Sequence, residues 1–155
     1  MRLKYSGLRK LTDAIHAEGA AAGIQLGHCG NMSHKSICGC IPVGASSGFN
    51  LYSPTFVRGL RAGELPEMAR AYGKAVNLAR EAGFDAVEIH AGHGYLISQF
   101  LSPSTNHRKD EFGGSLENRM RFMDMVMDEV MKAAGSDMAV LVKMNMRDGS
   151  GAAWR

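Results

Sequence analysis

The sequence lacks any apolar run approaching the roughly 20 residues needed to cross a bilayer. Its N-terminus lacks the basic, apolar, small-residue order of a secretory signal. Both absences point to a cytoplasmic protein with no membrane partner. Cysteine is scarce and odd in number, with only Cys29, Cys38 and Cys40. That excludes a secreted scaffold of paired disulfides. Cys38-Gly39-Cys40 is not a standard zinc or redox spacing, so all three are read as free thiols. Charge of one sign is also lacking. Eighteen Lys and Arg against 15 Asp and Glu leave a net charge of +3, spread along the chain. With no basic run interleaved with aromatics, a nucleic-acid partner is excluded. The mild basic excess suits small anionic ligands such as phosphates.

What is present is ordinary globular material. The chain has 155 residues, 45% hydrophobic and 21% charged, enough for one domain with a sizeable core. Glycine is abundant at 19, which suggests tight turns and close backbone approaches. Methionine is high at 11, concentrated in residues 120–146 and read as adaptable core filling.

Hydrophobic spacing predicts a helix over residues 8–21, with Leu8, Leu11, Ile15 and Ala17 on one face. A short strand follows at 24–26, then a Gly-, Ser-, Asn- and Pro-rich loop over 27–63. A second helix is predicted over 65–82, with Pro66 in its first turn, and a second strand over 86–89. Another long loop spans 90–114. Ser115 can cap a third helix over 116–134, and a third strand lies at 139–144. Loops after strands are long and turns after helices are short. That asymmetry marks a β/α barrel whose site lies at the carboxyl ends of its strands. The expected fold class is therefore α/β, a partial (β/α)8 TIM barrel of about three strand–helix units. A doubly wound sheet is the competing α/β architecture, but no Gly-rich phosphate turn opens a helix directly after a strand.

The chemistry concentrates in Val87-Glu88-Ile89-His90-Ala91-Gly92-His93-Gly94-Tyr95-Leu96. His90 and His93 are three residues apart, in a glycine-containing turn just past a buried strand, so both rings can face one small site. Tyr95 can point the same way. Two imidazole N–H donors aimed at one carbonyl oxygen would polarise a conjugated enone and stabilise the developing enolate. A nearby tyrosine hydroxyl can serve as the general acid. Hydride must come from a cofactor, because no side chain supplies one. On spacing alone, two other readings stay open. One is an incidental structural His pair, and the other is a small metal-binding α/β module using His28, His90 and His93.

A longer pattern carries more. Residues 85–122, DAVEIHAGHGYLISQFLSPSTNHRKDEFGGSLENRMRF, resemble the segment around the fourth barrel strand of the Old Yellow Enzyme family. The likeness is greatest to the branch holding dienoyl-CoA reductases and bile-acid-inducible flavin reductases. The matching elements are VEIH, GYL, QFLSP, N-x-R-x-D-x-[FY]-GGS and ENR-x-RF. The resemblance implies an FMN-dependent ene-reductase that passes hydride from NADH or NADPH through the flavin to an α,β-unsaturated carbonyl or similar alkene. It also implies roles residue by residue. His90 and His93 match the pair that hydrogen-bonds the activating group of the substrate, and Tyr95 matches the proton donor. Gln25, in Gln25-Leu26-Gly27-His28, matches the glutamine on the pyrimidine edge of FMN. Lys143 matches the fifth-strand cation beside the flavin's N1/O2 edge, where a fixed positive charge favours the reduced anion. Arg108, Asp110, Glu111, Glu117, Asn118, Arg119 and Arg121 are expected to tie down the loop before the third helix.

The chain departs from the family where His-x-Gly-Arg becomes His28-Cys29-Gly30-Asn31. The iron–sulfur cluster of the longer branch is bound by cysteines beyond the barrel, so Cys29, Cys38 and Cys40 are not assigned to one.

The resemblance runs over about residues 7–149 and corresponds to the middle of a barrel. Residues 1–149 are thus expected to form a partial FMN-binding barrel domain. With the flavin's phosphate site formed elsewhere in such a barrel, this stretch alone is expected to bind FMN weakly or not at all. Residues 150–155, Ser-Gly-Ala-Ala-Trp-Arg, do not follow the family, which often continues Asp-Gly-Phe-[Arg/Lys]-Gly-Gly-Leu-Glu. A single deleted nucleotide within codons for Phe-Arg-Gly-Gly-Leu-Glu produces that tail, so a frameshift is expected there. The rival to an active enzyme is a non-catalytic barrel fragment. Whether the protein forms a homo-oligomer stays open.

Overall fold

A computed structural model of the chain describes residues 6–51 and 54–147. The tail expected to arise from a frameshift lies outside the described residues. In chain order the elements are α1 (Ser6–Ala17), β1 (Gly23–Leu26), a 3-10 turn (Gly30–Met32), α2 (Lys35–Cys38), β2 (Val43–Gly44), β3 (Gly48–Asn50) and β4 (Thr55–Gly59). A second 3-10 turn (Ala62–Glu64) leads into α3 (Leu65–Glu81). Then follow β5 (Ala86–Ala91), α4 (Leu96–Leu101), α5 (Leu116–Ala134) and β6 (Ala139–Met144). Among the described residues no helix is long and apolar enough to cross a membrane.

The main sheet has the order β1-β5-β6, all parallel. Sequential strands joined by helices and lying side by side form a sector of a β/α barrel, the class the sequence predicts. Side chains alternate across the sheet. Val87, Ile89 and Ala91 of β5 point to the helices and are fully buried. Ile24, Leu26 and Val140 join that layer half-buried. Helices α3 and α5 cover this face and pack along each other. Their buried residues recur at helical spacing, Leu65, Ala69, Tyr72, Val76 and Ala79 on α3 and Phe122, Val126, Val130 and Ala133 on α5. The helices approach closely at Gly73, where a Cβ would stand 3.0 Å from the Glu129 carbonyl oxygen. Pro66 lies in the first turn of α3, and the Ser115 hydroxyl accepts from Asn118 N–H at 3.3 Å to cap α5, both as the sequence predicts. Of the methionines, Met138 is buried and Met123, Met125 and Met127 pack half-buried against the core, whereas Met131 and Met144 are exposed.

Four expectations need correction. Helix α1 ends at Ala17, short of residue 21, and of its predicted apolar face only Ile15 packs, half-buried, against the core. Leu8 and Leu11 are exposed, because none of the described elements packs over them. The helix is held instead by Thr12, whose hydroxyl donates to the Ala82 carbonyl at 2.6 Å. Asp85 fastens the same end of the sheet. It accepts from Ala22 N–H at 2.6 Å and pairs with His16 at 2.8 Å, in that order the causes that hold its carboxyl below the usual range.

Second, the expected loop at 27–63 contains α2 and a small sheet of order β2-β4-β3, with β2 parallel and β3 antiparallel to β4. Strands of two, three and five residues are too short to show a period in sequence. Beyond β4, Arg58 grips Glu64 through both carboxylate oxygens at 2.7 and 2.9 Å, and Glu64 also accepts from Arg61 N–H. Arg58 and then the Arg61 N–H pull the Glu64 carboxyl down to about 2. Third, the expected loop at 90–114 contains α4. All six of its residues are buried, so it has no amphipathic signature. Fourth, β5 runs to Ala91, so His90 lies within the strand rather than past its end.

Most of the charged residues expected to tie down the loop before α5 do so. The Arg108 guanidinium donates to the carbonyls of Ala45 at 2.9 Å and Leu60 at 2.5 Å and pairs with Asp110, which joins this loop to the small sheet. Arg119, only 4% exposed, donates to the Leu101 carbonyl at 2.7 Å and to the Gly114 carbonyl. Asn118 reaches the Gly113 carbonyl, and Arg121 reaches Asn118. Glu111 is exposed at the loop's edge. Removing a buried guanidinium leaves carbonyls without donors, at about 1–3 kcal/mol each. Arg119→Ala is expected to cost about 2–4 kcal/mol, seen as a lower urea midpoint at unchanged slope. A change below about 0.5 kcal/mol would show that Arg119 is not structural.

Candidate active site

Parity along three parallel strands brings the sequence-predicted groups onto one face. Opposite the helix-facing Val87 and Ile89, β5 turns Glu88 and His90 to the other side. The register sets Gln25 of β1 and Leu141 of β6 beside Glu88, and Lys143 of β6 beside His90. Gln25, Glu88, His90 and Lys143 therefore share the face that carries no helix. Gln25 and Lys143 are exposed there. Gly27 follows β1 beside His90, and a Cβ at that position would stand 3.2 Å from the His90 Cβ. The amide nitrogen of Gln25 donates to Glu88.

The three chemical residues cluster at the carboxyl end of β5. The His90 and His93 ring centroids are 5.0 Å apart with planes at 87°, and His90 and Tyr95 are 4.8 Å apart at 90°. His90 is thus the hub. It is buried, Tyr95 is half-buried and His93 is exposed. The Gly92 N–H donates to His90 Nδ1 at 3.3 Å, so the proton of the neutral ring sits on Nε2. Burial first, then the positive charges of His93 and Lys143, push the His90 imidazole below its ordinary value. At neutral pH the ring is uncharged and offers an N–H donor.

The turn carrying His93 is held from β6. His93 has φ +56, a left-handed conformation that costs a non-glycine residue of order 1 kcal/mol or more. The Asn145 side chain accepts from His93 N–H at 3.1 Å and stabilises it. Buried Gln99 of α4 holds the turn from the other side, donating to the Gly94 carbonyl at 2.6 Å and to Asn31 Oδ1 at 2.8 Å. Sequence reasoning missed Glu88, Gln99 and Asn145 as site residues. Strand alternation signals Glu88, two residues before His90. No spacing signal connects Asn145 to a turn 52 residues earlier.

His28 does not complete a metal centre. Its Nδ1 accepts from Gly30 N–H at 3.0 Å, and burial lowers its pKa. Among the described residues no three His, Cys, Asp or Glu side chains are arranged to hold a metal ion.

The described residues thus form a parallel sheet sector of a β/α barrel, with a His-His-Tyr cluster at its carboxyl end and an amide and a cation on the adjoining face. The model of the NADH:flavin oxidoreductase / NADH oxidase family matches residues 4–153, and the chain belongs to that family. It is 41% identical over 143 residues, 92% of the chain, to a 4,4'-dithiodibutanoate disulfide reductase of Rhodococcus erythropolis. It is 44% identical over 124 residues, 80% of the chain, to an NADPH dehydrogenase of Bacillus subtilis (strain 168). The chain spans about 36% of the length of either relative. The Old Yellow Enzyme homologue of Zymomonas mobilis superposes with a TM-score of 0.86 at 36% identity, over 92% of this chain and 42% of that one. Morphinone reductase gives 0.86 at 33% identity, over 93% and 44%. The fold is a partial TIM barrel of that architecture, and the family's cofactor is FMN with NADH or NADPH as reductant.

Because charge on Lys143 opposes protonation of His90, Lys143→Met is expected to raise the His90 pKa toward 6.5. Imidazole NMR titration reads this directly. An unchanged His90 midpoint would remove Lys143 from the electrostatics of the site.

Proposed function

We propose that this chain is the substrate-polarising and proton-donating sector of an FMN-dependent ene-reductase. The observation that carries this reading is the perpendicular packing of His93 and Tyr95 on one buried, neutral His90. The donor set fits a flavin. Gln25 supplies an amide able to pair with a pyrimidine edge, and Lys143 supplies a fixed cation on the same helix-free face. FMN held against Gln25 and Lys143 would supply hydride-transfer chemistry on that face, with NADH or NADPH as the reductant.

The chain's own residues do the rest. The Nε2–H of His90 donates to the carbonyl oxygen of an α,β-unsaturated substrate, and His93 adds a second donor. Together they draw electron density from the alkene and stabilise the oxygen as it becomes negative. The Tyr95 hydroxyl then gives its proton to the neighbouring carbon. Gln99 and Asn145 keep the turn from moving, and precision of about 0.5 Å is what such a constellation requires. The substrate is a small activated alkene, acted on in the cytoplasm, with no nucleic acid involved. Residues 1–149 are the middle of the barrel domain.

A second reading is favoured by one observation, the coverage of only about 36% of the relatives' length. In it the chain is a non-catalytic barrel fragment. NADPH-dependent reduction of a cyclic enone, with FMN added, separates the two. Tyr95→Phe is expected to slow turnover about 100-fold or more, the usual contribution of a general acid, with flavin absorbance unchanged. Equal turnover in Tyr95→Phe would overturn the assignment of Tyr95. Absence of turnover and of bound flavin in the unaltered protein would establish the fragment reading.

A further inference from the structure

A second cluster of reactive groups lies on the loop after β1, apart from the polar sheet face. Helix α2 ends at Cys38, Gly39 turns the chain with φ +72, and Cys40 follows. The two sulfurs are 3.8 Å apart and both cysteines are exposed. The turn is defined rather than loose. The His34 ring accepts from Ser36 N–H at 3.2 Å at one end of α2, and Gly39 N–H donates to the Lys35 carbonyl at 2.9 Å at the other. Both cysteines line a pocket of about 300 Å³, together with Cys29, Ser33 and the apolar Ile41, Pro42 and Val43. We propose that Cys38 and Cys40 form a dithiol site that exchanges with small-molecule disulfides and closes into a Cys38–Cys40 disulfide.

The two thiols are not equivalent. In its thiol form Cys38 donates to the Cys40 carbonyl at 3.1 Å, and Cys40 donates to the Cys38 sulfur. The backbone of Cys40, then the Ser33 hydroxyl, draws the Cys38 pKa down, whereas the hydrogen bond to Cys38 raises that of Cys40. The Cys40 thiol donates toward the Cys38 sulfur and stabilises negative charge there, so Cys38 is the thiolate that attacks and Cys40 the thiol that resolves. In the first step Cys38 sulfur bonds to one sulfur of the disulfide RSSR, whose S–S bond breaks to release RS⁻, which takes up a proton. In the second step Cys40 sulfur, giving up its proton, displaces the remaining RS⁻ from Cys38. The protein dithiol loses two electrons and two protons, and RSSR becomes two RSH. Closure needs the sulfurs to move from 3.8 Å to about 2.05 Å. Gly39, with no side chain and a left-handed φ, allows this. The pocket's apolar wall gives the organic part of RSSR a surface to rest on. No flavin takes part, so the inference stands apart from the ene-reductase reading.

The probe is oxidised glutathione, applied to the full chain and followed by intact mass and peptide mapping. The expected product has lost two hydrogens, carries a Cys38–Cys40 cross-link and keeps Cys29 free for alkylation. In Cys40→Ser, a stable glutathione adduct on Cys38 is expected. In Cys38→Ser, adduct formation at Cys40 is expected to be about tenfold slower than at Cys38 in Cys40→Ser. Stable adducts on both cysteines of the unaltered chain, or a cross-link through Cys29, would overturn the proposal. Equal rates in the two variants would overturn the division of roles.

Discussion

The structure depends on β5 being held in register between two parallel neighbours. Its backbone pairs with β1 from Ala86 to Ile89 on one side and with β6 from Ala86 to Ala91 on the other. Its side chains then divide by parity. Val87, Ile89 and Ala91 enter the helix-covered core, and Glu88 and His90 turn to the open face. Burying a valine or isoleucine stabilises the fold by about 1.5–3 kcal/mol. A slip of one residue would expose both and drive a carboxylate and an imidazole under α3 and α5. The same apolar packing that stabilises the domain therefore fixes which groups reach the site.

Around that strand, irregular chain is held by side chains that satisfy main-chain carbonyls. Arg108 fastens the small sheet to the loop before α5, and Arg119 fastens α5 to the end of α4. Such buried, hydrogen-bonded cations are rigid and cannot be exchanged for apolar groups without orphaning their acceptors. At the site, Gln99 of the following helix donates to the Gly94 carbonyl and Asn145, just past β6, accepts from His93 N–H, which together hold the turn at 92–95. The left-handed His93 persists because two elements hold its surroundings.

The family match and the geometry support each other at different levels. Likeness to barrel flavoproteins over more than nine-tenths of the chain shows the architecture. His90, His93 and Tyr95 pack ring to ring within that architecture, and the proposed polarisation and proton delivery rest on this geometry. The thiol pair at Cys38 and Cys40, with sulfurs 3.8 Å apart, lies on the loop after β1 rather than in the His-His-Tyr cluster.

Much of this was legible in the residues. Periodicity identified α3 and α5, short apolar stretches marked the three strands of the main sheet, and Ser115 and Pro66 marked helix starts, because caps and amphipathic faces are local physics. The segment around His90 carried the chemistry, because three polar groups beside a buried strand are conspicuous. Short-range pattern failed where structure is short or fully buried. Strands β2 to β4 and helix α4 show no period, and the apolar face assigned to α1 is buried only at Ile15. By itself the sequence determined the α/β alternation, the central strand and the identity of the His-His-Tyr cluster. Only the tertiary structure decided that His90 is the buried hub, that Gln25 and Lys143 join its face, and that Asn145 and Gln99 hold its turn. The physical reason is that a strand's parity is written locally, whereas its register against a neighbour 50 or 60 residues away is set by packing.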